Sequence, residues 1–214
     1  MIINKTGVFV YDFEAVRGIV KALVKETRYD HTLGVESEAV RLAVIFGLSE
    51  DERCDVAAAA ILHDITKDFT VDAHMEVAKE YGITLTEDDL DAPKSLHGIT
   101  GAHIAKREFN ANDTIYESIL YHTLGSTGYF PLAAKIIYLA DYIEPNRIYE
   151  DCVFVRDMFY DEVKRCVSFE SRMNLLNRVI VHAFNLTIKE VIDKNMCIHP
   201  DGVICRNRLL HSLG

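Results

Sequence analysis

The chain has 214 residues, a formal net charge of -10 at pH 7, 49% hydrophobic residues and 26% charged residues. This balance is typical of a folded globular protein and excludes general disorder, and the length favours one domain over residues 1–214. The acidic charge, with no run of lysines and arginines, argues against a nucleic acid polymer as partner. A polyanionic small molecule is compatible, because bound cations can reverse the sign of the charge in a site.

Membrane and export signals are missing from the sequence. No apolar stretch approaches the roughly 20 residues that span a bilayer, and the first residues lack the order of a signal peptide. The five cysteines are odd in number and widely spaced, with no CxxC pair, so they are predicted to be reduced thiols. We expect a cytoplasmic protein with no membrane partner.

Apolar residues recur at helical spacing in the first part of the chain. The pattern predicts helices from about Phe13 to Lys25 and from Thr32 to Phe46. Ser49, with Glu52 three residues later, resembles a capping box that opens a third helix, DERCDVAAAAILHD. The alanines of this helix indicate that it is buried.

Caps and breakers divide the next part of the chain. Thr70 or Asp72 can cap a short helix that Gly82 ends, and the acidic segment TLTEDDLDAPKS after it is predicted to be a surface loop. Further helices are predicted in HGITGAHIAKREF, in TIYESILYHT after a cap at Asn112 or Asp113, and in LAAKIIYLADYI with Pro131 in its first turn.

The C-terminal part predicts two more helices, VFVRDMFYDEV and FESRMNLLNRVIVHAFNLTIKEVIDK. The tail over about residues 196–214 contains a Pro-Asp-Gly turn, so it is expected to leave the long helix and wrap the core. Since no useful alternating strand and no repeat interrupts these patterns, the predicted fold class is an all-α bundle.

Histidines and aspartates stand where packed helices would more naturally carry apolar residues. His63 and Asp64 end the run AAAAILHD, and Asp141 lies among apolar residues in KIIYLADYIE. An ionised carboxylate is costly to bury unless a cation or hydrogen bonds compensate it. His97 and His122 lie near small residues that would let a ligand approach closely. Metal ligation would satisfy all of these side chains.

A sixth candidate ligand, His31 in RYDHTLGV, is predicted to begin a helix. Imidazoles combined with carboxylates suit Zn, Mn, Fe, Co or Ni better than Ca or Mg alone, and six such groups exceed one structural zinc site. If Asp64 bridges two ions, one ion would take His31, His63 and Asp141, and the other His97 and His122. This is a two-metal hydrolase arrangement with positions left for water and phosphate oxygens.

The ordered pattern H…HD…H…H…D resembles the HD superfamily of phosphohydrolases, and more closely its YqeK family. The resemblance rests on RYDHTLGV, LHDITKD, LHGITGA, YHTLG, ADYIEPNR and IHPDGVICRN, which run from Arg28 almost to the C-terminus. A His-Asp doublet alone is weak evidence, whereas the ordered set is specific. The resemblance implies an HD-domain helical bundle that cleaves diadenosine tetraphosphate symmetrically into two ADP, using two divalent ions with iron favoured.

The predicted mechanism is attack of a metal-bound hydroxide on phosphorus, with Asp64 and Lys67 as catalytic residues. Lys67 lies four residues after His63, which would place its ammonium on a bridging phosphate or the leaving oxygen. Arg147 would clamp a terminal phosphate, or would instead form an ordinary surface ion pair with Glu144.

Other residues are predicted to contact the substrate. Arg28, three residues before His31, is another phosphate candidate, and the resemblance implies that the tail helps to hold the nucleoside. The full predicted substrate set is Arg28, Asp64, His97, His122, Asp141, Arg147, Ile198, His199, Pro200 and Asp201.

Two other functions are open from the sequence. One is an HD-type nucleotidase or alarmone phosphohydrolase, and the other is a metal-dependent nucleotide-binding module without turnover. The six candidate ligands and Lys67 argue against the second. A homodimer is possible, although no interface pattern indicates it.

Overall fold

A computed structural model describes residues 2–3 and 9–213 and the side chains of residues 11–213. Residue 1, residues 4–8 and residue 214 of the predicted single domain lie outside the described residues. The described part of the chain is helical apart from one short antiparallel pair, β1 (Ile2–Ile3) with β2 (Phe9–Val10). The predicted all-α class is confirmed.

Eleven α-helices follow in the described residues. They are α1 (Phe13–Leu23), α2 (Glu26–Ile45), α3 (Glu50–Leu62), α4 (Val71–Tyr81), α5 (Glu87–Asp91), α6 (Leu96–Glu108), α7 (Asp113–Tyr121), α8 (Leu132–Ile143), α9 (Glu150–Val163), α10 (Phe169–Asp193) and α11 (Pro200–His211). A turn of 3₁₀ helix at Pro93–Ser95 leads into α6. Within the described residues, none of these helices combines the length and the apolar character that a bilayer crossing requires.

Local sequence explains several helix ends. Ser49 and Glu52 form the predicted capping box at the start of α3. The side chains of Thr70 and Asn112 accept backbone N–H bonds at the starts of α4 and α7, as predicted. Gly82 ends α4 with a φ of 68°, a left-handed conformation that glycine adopts without steric cost. Each such N-cap contributes about 1 kcal/mol to stability.

Two helix starts differ from their predictions. α2 begins at Glu26 rather than Thr32, so His31 lies in its second turn instead of at its start. The early start carries no local signal, because the N-cap residue Lys25 makes no side-chain capping bond. Pro131 is the N-cap of α8 rather than a residue of its first turn.

The acidic connector and the tail are also more ordered than predicted. Thr86 and Asp89 form a capping box that starts the short helix α5, and Asp89 is buried, so this connector is not simply a surface loop. The Pro-Asp-Gly segment is not a turn, because Pro200 occupies the first position of α11. Pro fits there since the first residues of a helix have no intrahelical use for an N–H. The tail does leave α10, and it packs back on it.

The core lies where the central helices meet. α2 packs against α3 and α8, and α7 packs against α3, α6 and α8. The run Ala57–Ala60 keeps the end of α3 narrow, so its neighbours approach closely while Ile61 and Leu62 fill the space between them. Ile137 and Leu139 of α8 are fully buried on the other side. These helices carry the candidate ligands at or near their ends.

We expect Gly125→Ala to destabilise the protein more than Gly82→Ala. Both glycines have a φ of 68°, which costs an L-residue about 1–2 kcal/mol. A Cβ at Gly82 would meet nothing within 4 Å, whereas one at Gly125, in the turn after α7, would overlap Sγ of Cys205 on α11. Overpacking should add about 1–3 kcal/mol at Gly125. Urea denaturation measures both losses, and equal values would contradict the packing of α11 against this turn.

Candidate metal centre

The structure brings together all six residues that the sequence singles out as metal ligands. They come from different elements: His31 from α2, His63 and Asp64 from the turn after α3, His97 from α6, His122 from the end of α7 and Asp141 from α8. His63, Asp64, His97 and His122 are buried, while His31 and Asp141 border solvent. The centre therefore has a protein-lined floor and one accessible side.

Asp64 lies in the middle of the cluster. Its Oδ2 is 3.8 Å from Nε2 of His31 and 3.5 Å from Nε2 of His63. Its Oδ1 is 3.2 Å from Nε2 of His97 and 3.7 Å from Nε2 of His122. Each carboxylate oxygen thus faces a different pair of imidazoles, which is the arrangement that a bridging carboxylate requires.

Two sets of ligand atoms are close enough for one ion each. In both sets, the ligand atoms lie within 4.8 Å of one another; the sets are His31, His63 and Asp141, and His63, Asp64 and His122. His97 adjoins the second set, because its Nε2 lies 3.0 Å from Nε2 of His122. The first set is the one expected from the sequence, whereas the second contains His63 where His97 was expected, so His63 belongs to both sets.

Each imidazole is oriented by its Nδ1 atom, which donates to a protein oxygen. The acceptors are the carbonyl of Ala60 for His63 (2.7 Å), of Lys94 for His97 (2.7 Å) and of Ile119 for His122 (2.6 Å), and Oε1 of Glu144 for His31 (3.2 Å). Because these oxygens only accept, the proton of each neutral ring is on Nδ1 and the lone pair is on Nε2. Four Nε2 atoms therefore converge on Asp64, and each offers a lone pair to a metal ion when its ring is neutral.

Unsatisfied polar atoms show that this donor set fits a divalent transition metal. Nε2 of His63 and Oδ1 of Asp64 are buried and make no hydrogen bond within the described residues, and Nε2 of His31 faces Oδ1 of Asp141 at 3.0 Å. Buried polar atoms of this kind require a partner. The facing Nε2 lone pairs of His97 and His122 likewise repel each other unless a cation lies between the ligands. Imidazole nitrogens with carboxylate oxygens suit Fe, Mn, Co, Ni or Zn.

The two carboxyl groups of the cluster are ionised. Burial by itself raises the pKa of Asp64, but the charge that the His63 ring carries when it is protonated in the metal-free protein, together with the Lys67 ammonium, holds that pKa well below its ordinary value. Burial also raises the pKa of Asp141, and the Arg147 guanidinium lowers it well below the usual range. Both candidate ligands are therefore anionic at neutral pH.

Three cationic side chains surround the centre, and they are the three predicted phosphate contacts. Nη1 of Arg28 donates to Oδ2 of Asp64 at 2.8 Å, and Nη2 of Arg147 donates to Oδ1 of Asp141 at 2.6 Å. Nζ of Lys67 donates to Nε2 of His97 at 2.9 Å. All three side chains are partly exposed, so each reaches both the ligands and the solvent side.

Two details of these cations differ from the sequence predictions. α3 ends at Leu62, and residues 63–68 form successive turns, so Lys67 does not follow His63 on a helix face. It instead reaches the centre because its N–H bonds to the carbonyl of Asp64, which closes a tight turn. The alternative ion pair of Arg147 with Glu144 is wrong, since the guanidinium pairs with Asp141.

Glu144 is a functional residue that the sequence analysis missed. It is buried, its Oε1 accepts from Nδ1 of His31, and its Oε2 accepts from the backbone N–H of Asn146 at 2.7 Å. A Cβ on Gly34 of α2 would overlap Oε2 of Glu144. Gly34 was the available sequence signal for such a contact, since it lies three residues after His31 on the same helix face. A glycine weakens a helix interior, so its presence there indicates that another group packs closely against it.

The predicted nucleoside residues lie beside the centre. Ile198 and His199 line a cavity of about 250 Å³ together with Lys94, Thr123 and Phe184. Thr123 joins this cavity to the metal centre, because its Oγ1 is 3.3 Å from Nε2 of His122. The remaining two predicted residues, Pro200 and Asp201, form the first turn of α11, and Asp201 lines a neighbouring hollow.

Both ring nitrogens of His199 are used within the protein. Nδ1 accepts the N–H of Asp201 at 3.2 Å, so Nε2 carries the proton and donates to Oδ1 of Asp89 at 3.2 Å. The residue therefore fastens α11 to α5, and it offers a ring face rather than hydrogen bonds to anything in the cavity.

The profile of the HD domain family matches residues 28–146, a range that contains all six candidate ligands. The chain belongs to the HD domain family, as the resemblance predicted.

Relatives of known description extend the likeness beyond that range. The symmetrical bis(5'-nucleosyl)-tetraphosphatase of Bacillus subtilis (strain 168) is 32% identical over 201 residues, covering 92% of this chain and 97% of its own. The Staphylococcus aureus protein of the same description is 28% identical over 198 residues, with 92% and 93% covered. A solved Clostridium acetobutylicum structure, described as a predicted HD superfamily hydrolase involved in NAD metabolism, matches with a TM-score of 0.81 at 28% identity over 95% of this chain and 100% of that one.

We expect Gly34→Ala to weaken metal binding while the protein stays folded. The added methyl group pushes the Glu144 carboxylate away from Nδ1 of His31, and loss of such an outer partner typically weakens metal binding roughly 10–100-fold. Metal content after dialysis, measured by mass spectrometry with circular dichroism alongside, tests this. Gly18→Ala on α1 is the matched control, because a Cβ there meets nothing within 4 Å. Equal metal retention in both variants would contradict the positioning role of Glu144.

Proposed function

We propose that this chain is a metal-dependent symmetrical dinucleoside tetraphosphate hydrolase, which cleaves diadenosine tetraphosphate with one water into two ADP. The observation that carries the proposal is the convergence of four Nε2 lone pairs and two carboxylates within reach of three cationic side chains. The relatives described by this activity match nearly the whole chain, which supports the same substrate class here.

The centre is proposed to hold two divalent ions, with iron favoured and Mn, Co, Ni or Zn as alternatives. Asp64 would bridge them, with His31, His63 and Asp141 on one side and His97 and His122 on the other. Bound ions of this kind polarise phosphoryl oxygens and lower the pKa of a water molecule to near neutral. The donor set supports this proposal because every ligand atom is already oriented by the protein.

The cationic side chains would be free to bind substrate phosphates once metal ions neutralise the carboxylates with which they pair. Arg28 and Arg147 now pair with Asp64 and Asp141, whose charge a bound cation would compensate. The guanidinium groups are then available to phosphate oxygens, which they bind in bidentate fashion. Lys67 is proposed to place its ammonium on the leaving phosphate oxygen, where it would stabilise the charge that develops as the bond breaks.

One adenosine is proposed to lie in the cavity that Thr123 joins to the centre. Its walls include the apolar side chains of Phe184, Ile188 and Ile198 and the ring of His199. Apolar walls with a few polar groups are typical of nucleoside and cofactor sites. Pro200 and Asp201 support this wall at the start of α11. The cytoplasmic location, the homodimer and the lack of a nucleic acid polymer partner stay predictions.

Product analysis tests the proposed activity. Metal-loaded protein is incubated with diadenosine tetraphosphate, and the products are resolved by anion exchange beside a chelator-treated sample. We expect ADP as the sole nucleotide product, lost on chelation and restored when metal is returned. Release of ATP with AMP, or no turnover by protein of verified metal content, would overturn the proposal.

We expect Asp64→Asn and Lys67→Met to separate metal binding from turnover. Asp64→Asn removes the bridging charge, so both metal content and turnover should be lost. Lys67→Met should keep its metal but lose roughly 10²–10³ in kcat, the usual effect of removing one group that stabilises transition-state charge. Asp68→Asn is the matched control in the same turn, because Asp68 pairs with Lys25 away from the centre. Wild-type kcat in Lys67→Met would contradict a catalytic role for Lys67.

A further inference from the structure

The four imidazoles of the centre form a row with a cavity at each end. Ring centroids are 5.5 Å apart from His31 to His63, 5.1 Å from His63 to His122 and 4.9 Å from His122 to His97. The cavity entered past Thr123 adjoins the His97 end. A second cavity, of about 310 Å³, is lined by His31 itself at the opposite end.

The second cavity is built differently from the first. It is lined by Thr27, Arg28, Asp30, Asn146, Arg147 and Tyr149 together with His31 and Glu144. Arg28 and Arg147 face both this cavity and the carboxylates of the centre. A chain of phosphates that leaves the centre at the His31 end would therefore pass between two guanidinium groups before it reaches the cavity.

Tyr149 gives this cavity an aromatic wall. Tyr149 is the N-cap residue of α9 and lies two residues after Arg147. It is 70% exposed. An exposed aromatic ring beside two arginines is the combination on which nucleobases stack. Asp30 and Thr27, from the first turns of α2, add a carboxylate and a hydroxyl, groups that hydrogen-bond the hydroxyls of a ribose.

We infer that the cavity at the His31 end is a second nucleoside subsite, which binds the distal adenosine of the tetraphosphate with its base stacked on Tyr149. The inference rests on the proposed function, since a substrate cut at its central bond carries a nucleoside diphosphate on each side of Asp64. The cavity lined by Ile198 (the Ile198 cavity) would hold one nucleoside, and the cavity lined by Tyr149 (the Tyr149 cavity) would hold the other.

Two substrates separate this subsite from the rest of the centre. Adenosine 5'-tetraphosphate has one nucleoside, which fills the apolar Ile198 cavity, and its hydrolysis at the same bond gives ADP and pyrophosphate. We expect Tyr149→Ala to raise KM for diadenosine tetraphosphate roughly tenfold, the effect of losing one base stack, and to leave KM for adenosine tetraphosphate and the metal content unchanged. Tyr149→Phe should keep the wild-type KM for both.

Ile148→Ala is the matched control, because Ile148 is 84% exposed on the same turn and lines none of the cavities described at the centre. It should leave both KM values unchanged. Equal rises in KM for the two substrates in Tyr149→Ala, or the same change in Ile148→Ala, would overturn the subsite.

A binding measurement keeps this inference separate from turnover. Equilibrium dialysis of the metal-loaded protein with ADP should give two ADP per chain in the wild type and one in Tyr149→Ala. One ADP per wild-type chain, in protein that still hydrolyses diadenosine tetraphosphate, would overturn the subsite and leave the proposed function standing. Two ADP per chain without hydrolysis would overturn the proposed function and support the subsite.

Discussion

The buried carboxylate of Asp64 is the constraint on which the rest of the centre depends. Its Oδ1 is buried and makes no hydrogen bond within the described residues, and an unpaired buried charge is costly. Arg28 from α2 pairs with it directly, while His97 from α6 and His122 after α7 face it with ligand atoms that would hold a compensating cation. Each of these contacts requires a different element to pack closely against the end of α3. The small alanines at that end allow this close packing, so they also determine where the carboxylate lies.

The way each histidine is held depends on its place in a helix. His63 and His122 are the C-caps of α3 and α7, and His97 lies in the first turn of α6, so each ring donates to the carbonyl three residues before it. His31 has no such acceptor, because it lies inside α2 and the Arg28 carbonyl accepts from Thr32. Its orientation therefore requires Glu144, the C-cap residue of α8. Gly34 follows from this need, since it clears the space that the Glu144 carboxylate occupies.

This contrast explains how much of the site could be predicted from the sequence. Five of the six candidate ligands carry a local signal, a histidine or aspartate in an apolar run or beside small residues. His31, in the polar segment RYDHTLGV, carries no such signal, and the structure brings all six together. Glu144 could not be recognised in this way, because its role exists only where α8 packs against α2. The start of α2 was missed since Lys25 provides no side-chain cap. The capping box of Thr86 and Asp89 could have been predicted from the sequence, but the many acidic residues around it favoured a surface loop.

The candidate metal ligands and the aromatic walls of the proposed nucleoside cavities lie in different parts of the chain. All six candidate ligands lie within residues 28–146, the part that matches the HD domain family. The Tyr and Phe side chains that line the two proposed nucleoside cavities come from later residues, with Tyr149 at one end of the imidazole row and Phe184, together with Ile198, at the other. His199 links these two parts by fastening α11 to α5, next to the turn that leads into α6 and His97. Substitutions in the C-terminal helices can therefore alter which nucleoside fits the proposed cavities and leave the candidate metal ligands unchanged.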